Sequence, residues 1–350
     1  MKRQLKLGLA AASALALMLT GCSSSSATPA ASGSASASTA SKLSVVSVIN
    51  GTLGDASFFD SAETGMTKLK AEGHKTQTIQ TDASNQTSWK QNTEAVSGKW
   101  DIVVVGTSQM VDILKEIAPK FPNQKYIIYD DSVTAPNVAS ITFKQNEGSY
   151  LAGVLAALAT TNKDKFPKAS GSKVVGLVGG MDIPIINDFV AGFKKGVETV
   201  DPTVQVKVGY VGNFSDSDKG YSIAKSMYEQ DKADVVFQVA GGAGNGVLKA
   251  AKDTGRYAIG VDSNQNKLYQ GNILASMLKN VGDGIYTAVA AADAGTLAYG
   301  KTTAYGLKNN GVGLTFADNG DIVPADVQAK VKDYAQQVSD GKITVPTTMG

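Results

Sequence analysis

Cysteine and histidine are almost absent from this 350-residue chain: Cys22 and His74 are the only ones. A zinc or other His/Cys metal cluster therefore cannot be assembled, nor can a Cys-His nucleophile pair. A disulfide framework is excluded as well. His74 stands in the polar turn around Gly73 and Lys75, where a solvated side chain is expected. Net charge is also lacking. The +2 balance rests on 33 basic and 31 acidic groups, and Lys2, Arg3 and Lys6 supply three of the basic ones before any acid appears. Without that N-terminal segment 30 basic groups face 31 acidic ones, and no later run is rich in Lys or Arg. Such a balance gives no electrostatic footing for nucleic acid.

What is present at the N-terminus is an address. A basic start, an apolar stretch over 7–19 and small residues leading to Cys22 form a secretory signal, too short for a stable membrane span. The order Leu19, Thr20, Gly21, Cys22 resembles the bacterial lipobox, which implies cleavage after residue 21, acylation of Cys22 and retention on the extracytoplasmic face of the cell membrane. Residues 23–41 are almost entirely Ser, Ala, Thr, Gly and Pro. A segment of this composition cannot bury enough apolar surface to offset its conformational entropy, so a disordered tether spanning about 25 Å is expected over 22–41.

From residue 42 the chain alternates apolar, β-branched runs with amphipathic stretches. Strands are expected at 43–49, 102–105, 126–129, 138–143, 174–178, 204–210, 235–239 and 257–261. Helices are expected over 59–72, 110–121, 146–159, 187–200, 219–230 and 245–252. Continuously apolar strands separated by helices indicate an α/β fold whose parallel sheets are covered on both faces. About 300 residues exceed one hydrophobic core, so two lobes are expected, and the polar stretch 160–173 suggests a boundary.

In open α/β sheets ligands bind beyond the carboxyl ends of the strands. The loops there are Asn50 to Ser61, Gly106 to Gln109, Gly179 to Pro184, Ala240 to Gly246 and Asp262-Ser263. Glycine allows a ligand to approach the backbone closely, and a following helix N-terminus offers unpaired N–H groups. The run Gly242-Ala243-Gly244-Asn245-Gly246 puts its third glycine one place early for a dinucleotide fingerprint, and no phosphate-loop Gly-Lys-Ser/Thr follows. A tight strand-to-helix turn without ligand remains an alternative. Asp55, Asp182 and Asp262 all follow strands and could act as acids or bases, or equally as helix caps.

The segments DASFFDSAETG (55–65), NVASITFKQNEGSYLAG (137–153), GLVGGMDIPIINDFVAGFKKGV (176–197), FQVAGGAGNGV (237–247) and IGVDSNQ (259–265) resemble the basic membrane lipoprotein family of substrate-binding proteins. That family includes nucleoside-binding lipoproteins of ABC importers. The resemblance implies a two-lobed type I periplasmic-binding-protein fold, with ligand in the interlobe cleft and hinge crossings near 143–146, 271–273 and 310–313. The N-terminal lobe would then be 42–143 plus 273–309, and the C-terminal lobe 144–272 plus 310–350. Carried over residue by residue, Asp55 would reach a nucleobase and Phe58 and Phe237 would stack on it. Gly241 and Gly242 would approach the sugar, with Asp262 and Lys279 at the ribose hydroxyls and Glu147 and Asp182 as further candidates. One departure is Phe59, which stands where relatives commonly carry Asn, so altered base preference or fewer polar contacts is expected.

The function implied is delivery of a nucleoside, a purine nucleoside first, to an ABC permease and its ATPase by a monomer that needs no cofactor or metal and performs no chemistry. Two other classes stay open: a tethered nucleoside-processing enzyme using strand-end aspartates, and a receptor for another small polar ligand such as a sugar. A regulator of the same fold would need a DNA-binding segment, and none precedes the first strand.

Overall fold

The computed structural model describes residues 42–348, so Cys22, the signal segment and the tether lie outside the described residues. In chain order the first elements are β1 (Val45–Ile49), α1 (Phe58–Ala71), β2 (Thr76–Gln80), α2 (Gln86–Val96), β3 (Ile102–Gly106), α3 (Val111–Ile117), β4 (Lys125–Tyr129) and β5 (Val138–Phe143). There follow α4 (Gln145–Thr161), β6 (Val174–Gly179), α5 (Pro184–Val200), β7 (Gln205–Tyr210), α6 (Ser217–Glu229), β8 (Val235–Val239), α7 (Gly244–Asp253), β9 (Tyr257–Asp262) and β10 (Ile273–Lys279). The chain ends with α8 (Val281–Asp293), β11 (Thr302–Tyr305), β12 (Val312–Thr315) and α9 (Ala325–Ser339).

These strands form two six-stranded sheets, ordered β11-β5-β4-β3-β1-β2 and β12-β10-β9-β8-β6-β7. All neighbours run parallel except β12, which is antiparallel to β10. Central strands such as β1 (VVSVI) and β3 (IVVVG) are buried at every residue, because helices cover both faces. In both sheets the first strand lies between the second and third, β1 between β2 and β3 and β6 between β7 and β8. That order opens a crevice above the carboxyl ends at the switch point.

The second lobe is organised around α4, which is buried almost all round. It packs so closely on α5 that a Cβ at Gly153 or Gly192 would stand 2.1 or 2.2 Å from a carbonyl oxygen of the partner helix. The alanine- and glycine-rich sequence of α4 is the cause. Small side chains allow backbone contact where larger ones would hold the helices apart.

Three expectations change. Strand β10 pairs with β9 and β12 in the second sheet, so the chain returns to the first lobe after Lys279 and not at 271–273. The β-branched, apolar run ILASMLK is itself a core strand and extends the second sheet before α8 packs on α1. The polar stretch 160–173 is not a lobe boundary. It is a loop inside the second lobe, held by the buried Asp234 carboxylate, which accepts from the hydroxyls of Thr160, Ser170 and Ser172 and from three backbone N–H groups. His74 is buried, not solvated. Its Nδ1 lies 2.8 Å from Leu43 O and its Nε2 3.1 Å from Asp293, which packs the start of β1 against α8.

Candidate functional site

Between the carboxyl ends of the two sheets lies a cavity of about 570 Å³, with walls from both lobes. The first lobe contributes the loop after β1, with Asn50, Asp55, Phe58 and Phe59, the loop after β3, with Thr107 and Gln109, and Asp130 at the end of β4. The second contributes Ile183 and Phe189 at the start of α5, Phe214 after β7, Gly241, Gly242 and Asn245 after β8, Asp262 at the end of β9 and Lys279 at the end of β10.

One end of this cavity is charged. The ammonium of Lys279, only 2% exposed, is ion-paired with Asp130 and lies 5.3 to 5.7 Å from the ring centres of Phe58, Phe143 and Phe189. Burial pushes the Asp130 carboxyl above its ordinary range, and Lys279 opposes this. Asp262 is raised further, to about 7, by burial and by the nearby carboxylates of Asp55 and Asp130, against the pull of Lys279 and a 2.6 Å hydrogen bond donated by Ser57 Oγ. Asp130 and Asp262 both end strands in left-handed backbone, with φ of 70° and 65°. Aspartate tolerates that region better than most residues.

Aromatic rings line the cavity beside these charges. Phe58 begins α1, with its ring 5.8 Å from Tyr129, and Phe59 meets it edge-on at 5.4 Å. The Phe59 ring occupies the space that a side chain at Gly51 would need: a Cβ there would come within 2.3 Å of it. Phe214 faces from the second lobe, its ring packed over Gly180, where a Cβ would lie 2.3 Å from ring carbons. Gly241, at φ of 55°, and Gly242 let the turn before α7 come up to Phe214 and to the Cβ of Asp55.

Of the residues singled out in the sequence, Asp55, Phe58, Gly241, Gly242, Asp262 and Lys279 are brought together. The Asp55 carboxylate is already engaged by the start of α1, accepting the backbone N–H groups of Ser57, Phe59 and Asp60 at 2.9 to 3.1 Å. Burial outweighs these bonds and raises its pKa.

Three candidates are not at the cavity. Phe237 is fully buried in the core, with Phe193 and Phe189 at 5.6 and 6.5 Å, because its position in β8 points it beneath the sheet's helices. The aromatic that the second lobe does contribute to the cavity from beyond a strand end is Phe214. Glu147 accepts the N–H of Leu307 at 2.8 Å and pairs with Lys144, tying together two of the segments that cross between lobes. Asp182 is exposed and accepts from Asn187 at 2.8 Å.

Sequence reasoning missed Asp130, Phe189 and Phe214. The rule that finds Asp262 also finds Asp130, which directly follows β4, and Phe214 sits in the loop after β7, which carries no glycine-rich or acidic strand-end signal of its own. Asn50 and Gln109 lay in loops that were marked, and the fold joins them: Asn50 Nδ2 donates to Thr107 Oγ1 and Gln109 Oε1 at 3.1 and 3.0 Å.

A parallel-sheet, two-lobed molecule with a cleft lined by rings and buried charges invites comparison with solute receptors. The profile of the Bmp family, described as PnrA-like ABC transporter substrate-binding proteins, matches residues 42–349. The chain belongs to this family. Among its relatives, a protein of Listeria monocytogenes named CD4+ T-cell-stimulating antigen is 35% identical, the match covering 88% of this chain and 89% of that one. The ABC transporter nucleoside-binding protein BmpA of Lactococcus lactis is 33% identical, over 88% and 90%. Among solved structures, an ABC transporter solute-binding protein of Aeropyrum pernix superposes with a TM-score of 0.77 at 26% identity, covering 87% of this chain and 94% of that one. This Bmp family chain is thus an extracytoplasmic substrate-binding protein of an ABC transporter, with a permease and an ATPase as its partners.

Proposed function

We propose that this protein captures nucleosides, purine nucleosides in preference, and hands them to its permease while lipid-anchored through Cys22. The observation that carries the reading is the cavity between the lobes, lined by the rings of Phe58 and Phe214 and by the buried charges of Asp262 and Lys279, with the Lys279 ammonium 5.5 Å from the Phe58 ring centre. A flat heteroaromatic base suits the first, since stacking on an aromatic ring is worth roughly 1 to 3 kcal/mol per base. A sugar diol suits the second, where a carboxylate accepts and an ammonium donates. The ion pair also limits the cost of keeping these groups dry. A nucleoside-binding relative one-third identical over most of the chain supports the same ligand class.

Phe59 adds a ring beside the base position, so the base edge next to it meets carbon and not an amide. The Ser/Ala-rich segment 23–41 would keep the body near the membrane without pressing it there. Calorimetric titration with a panel of nucleosides, free bases and sugars tests the reading. Purine nucleosides are expected to bind at micromolar or lower concentration, with pyrimidine nucleosides next, and the bound ligand should be recovered intact. Binding of sugars alone, or recovery of a cleaved base, would overturn it.

A further inference from the structure

Three successive backbone carbonyls of the first lobe each receive one side-chain donor from the second. Asn245 Nδ2 donates to Asp55 O at 3.0 Å, Gln265 Nε2 to Ala56 O at 3.0 Å, and Ser263 Oγ to Ser57 O at 2.9 Å. Ser57 returns a bond through its hydroxyl to Asp262. The carbonyls lie just before α1, where Ala56 is held at φ of 54°, a region that a residue with a Cβ occupies only when its surroundings impose it.

Behind Gln265 stands a buried relay. Its Oε1 accepts from Gln238 Nε2 at 2.7 Å and from the N–H of Val261 at 2.9 Å, while Gln238 Oε1 accepts from the N–H of Ala240 at 3.1 Å. Both glutamines are essentially inaccessible, at 0% and 1% exposure, and neither lines the cavity. With two donors fixing its oxygen, the Gln265 amide has only one orientation, and its NH₂ is left pointing across the cleft at Ala56.

We propose that Gln265 is a positioning residue for ligand capture: with Ser263 and Asn245 it latches the 55–57 loop to the second lobe, favouring closure and setting Phe58 on the cavity wall. The latch grips main-chain carbonyls, so it acts whatever ligand fills the cavity. It raises the fraction of molecules already competent to bind, and apparent affinity scales with that fraction.

The test is Gln265→Glu. The variant keeps an oxygen for Gln238 and Val261 but sets a carboxylate oxygen against Ala56 O, and on protonation that oxygen becomes a donor again. Small-angle scattering of the ligand-free variant near pH 8 should report a more open molecule than wild type. Adenosine, used as the probe, should bind on the order of tenfold more weakly. Both differences should close as the pH is lowered towards 5. The other charged groups of the cleft, Asp55, Asp130, Asp262 and Lys279, are common to both proteins, so wild type titrated over the same range gives their contribution and the variant is read against it. A ratio that stays flat with pH, or scattering equal to wild type near pH 8, would overturn the proposal.

Ser263→Ala removes one half-buried hydroxyl outside the relay and decides the matter should the glutamate variant not fold. It should open the free protein and weaken adenosine a few-fold, and no change in either would count against the latch. A wild-type protein that takes up no adenosine refutes the purine reading instead, and the scattering comparison then decides the latch alone.

Discussion

Replacing Asp262 by asparagine removes a buried charge while keeping the side chain's shape, and asparagine accepts the left-handed φ of 65° that this position requires. Ser57 Oγ can still donate to the remaining oxygen. In the folded chain Asp262 holds its proton up to about 7, whereas in the unfolded chain it releases it near the ordinary carboxylate value. Between those limits only the folded state binds the proton, so the contribution of Asp262 to stability falls as the pH rises through the window and is flat above it. The asparagine variant has no such dependence. The stability gap between variant and wild type should therefore widen in favour of the variant by about 3 kcal/mol between pH 5 and pH 8, at about 1.4 kcal/mol per unit. For a chain of this size that is a Tm difference growing by roughly 6 °C. Thermal melts of the ligand-free proteins across this range measure it. In the same variant, ribosides should lose far more affinity than free bases, because a carboxylate that accepts from hydroxyls has become a weaker acceptor. A gap that stays constant with pH would refute the reading of Asp262 as a buried charge held in reserve, and equal losses for base and riboside would refute its role at the sugar.

The two aromatic candidates of the second lobe separate cleanly. Phe214→Ala should cost roughly 1 to 3 kcal/mol of nucleoside binding with little change in Tm, whereas Phe237→Ala should cost about 3 to 5 kcal/mol of stability and leave affinity unchanged in the molecules that fold. Calorimetry alongside thermal melts distinguishes them, and the reverse pattern would restore Phe237 to the cavity. Cys22→Ala should abolish retention in the membrane fraction without altering nucleoside affinity, and weaker binding by the released protein would show that anchor and receptor are not separate.

Much of the fold was legible because burial on both faces leaves strands no choice but continuous apolar runs, as in VVSVI and IVVVG. Strand β2, TQTIQ, was not legible, since an edge strand with one neighbour has half-exposed faces and no apolar signature. Nothing local in ILASMLK records which sheet β10 joins, so the sequence alone assigns it to the segment returning to the first lobe. That choice is made by pairing with β9 and β12, and pairing is a property of the assembled sheet. The site divides in the same way. Strand-end position was enough to find Asp262 and, applied evenly, to find Asp130. It could not say that Phe237, two residues before the end of β8, belongs to the core, because alternation along a strand buried on both faces leaves inward and outward positions equally apolar.

The charged end of the cleft connects ligand capture to lobe movement through the same residues. Asp130 follows β4 of the first lobe and Lys279 ends β10 of the second, immediately before the chain crosses back to α8. Their ion pair therefore links the two lobes, as does the hydrogen bond from Ser57 to Asp262. Both contacts are buried, so opening the lobes exposes two carboxylates and an ammonium to water and relieves the desolvation that raises Asp130 and Asp262. Closure without ligand carries that cost. A ligand diol that donates to Asp262 and accepts from Lys279 removes part of it by supplying hydrogen bonds in place of lost water. Differential affinity for the closed state is what lets a ligand shift the equilibrium, and a diol held by Asp262 and Lys279 would supply it. A free base, which lacks the diol, should bind with a smaller degree of closure than its riboside, and small-angle scattering of the two complexes at saturation would show it. Equal compaction by base and riboside would place the closing force on the rings instead.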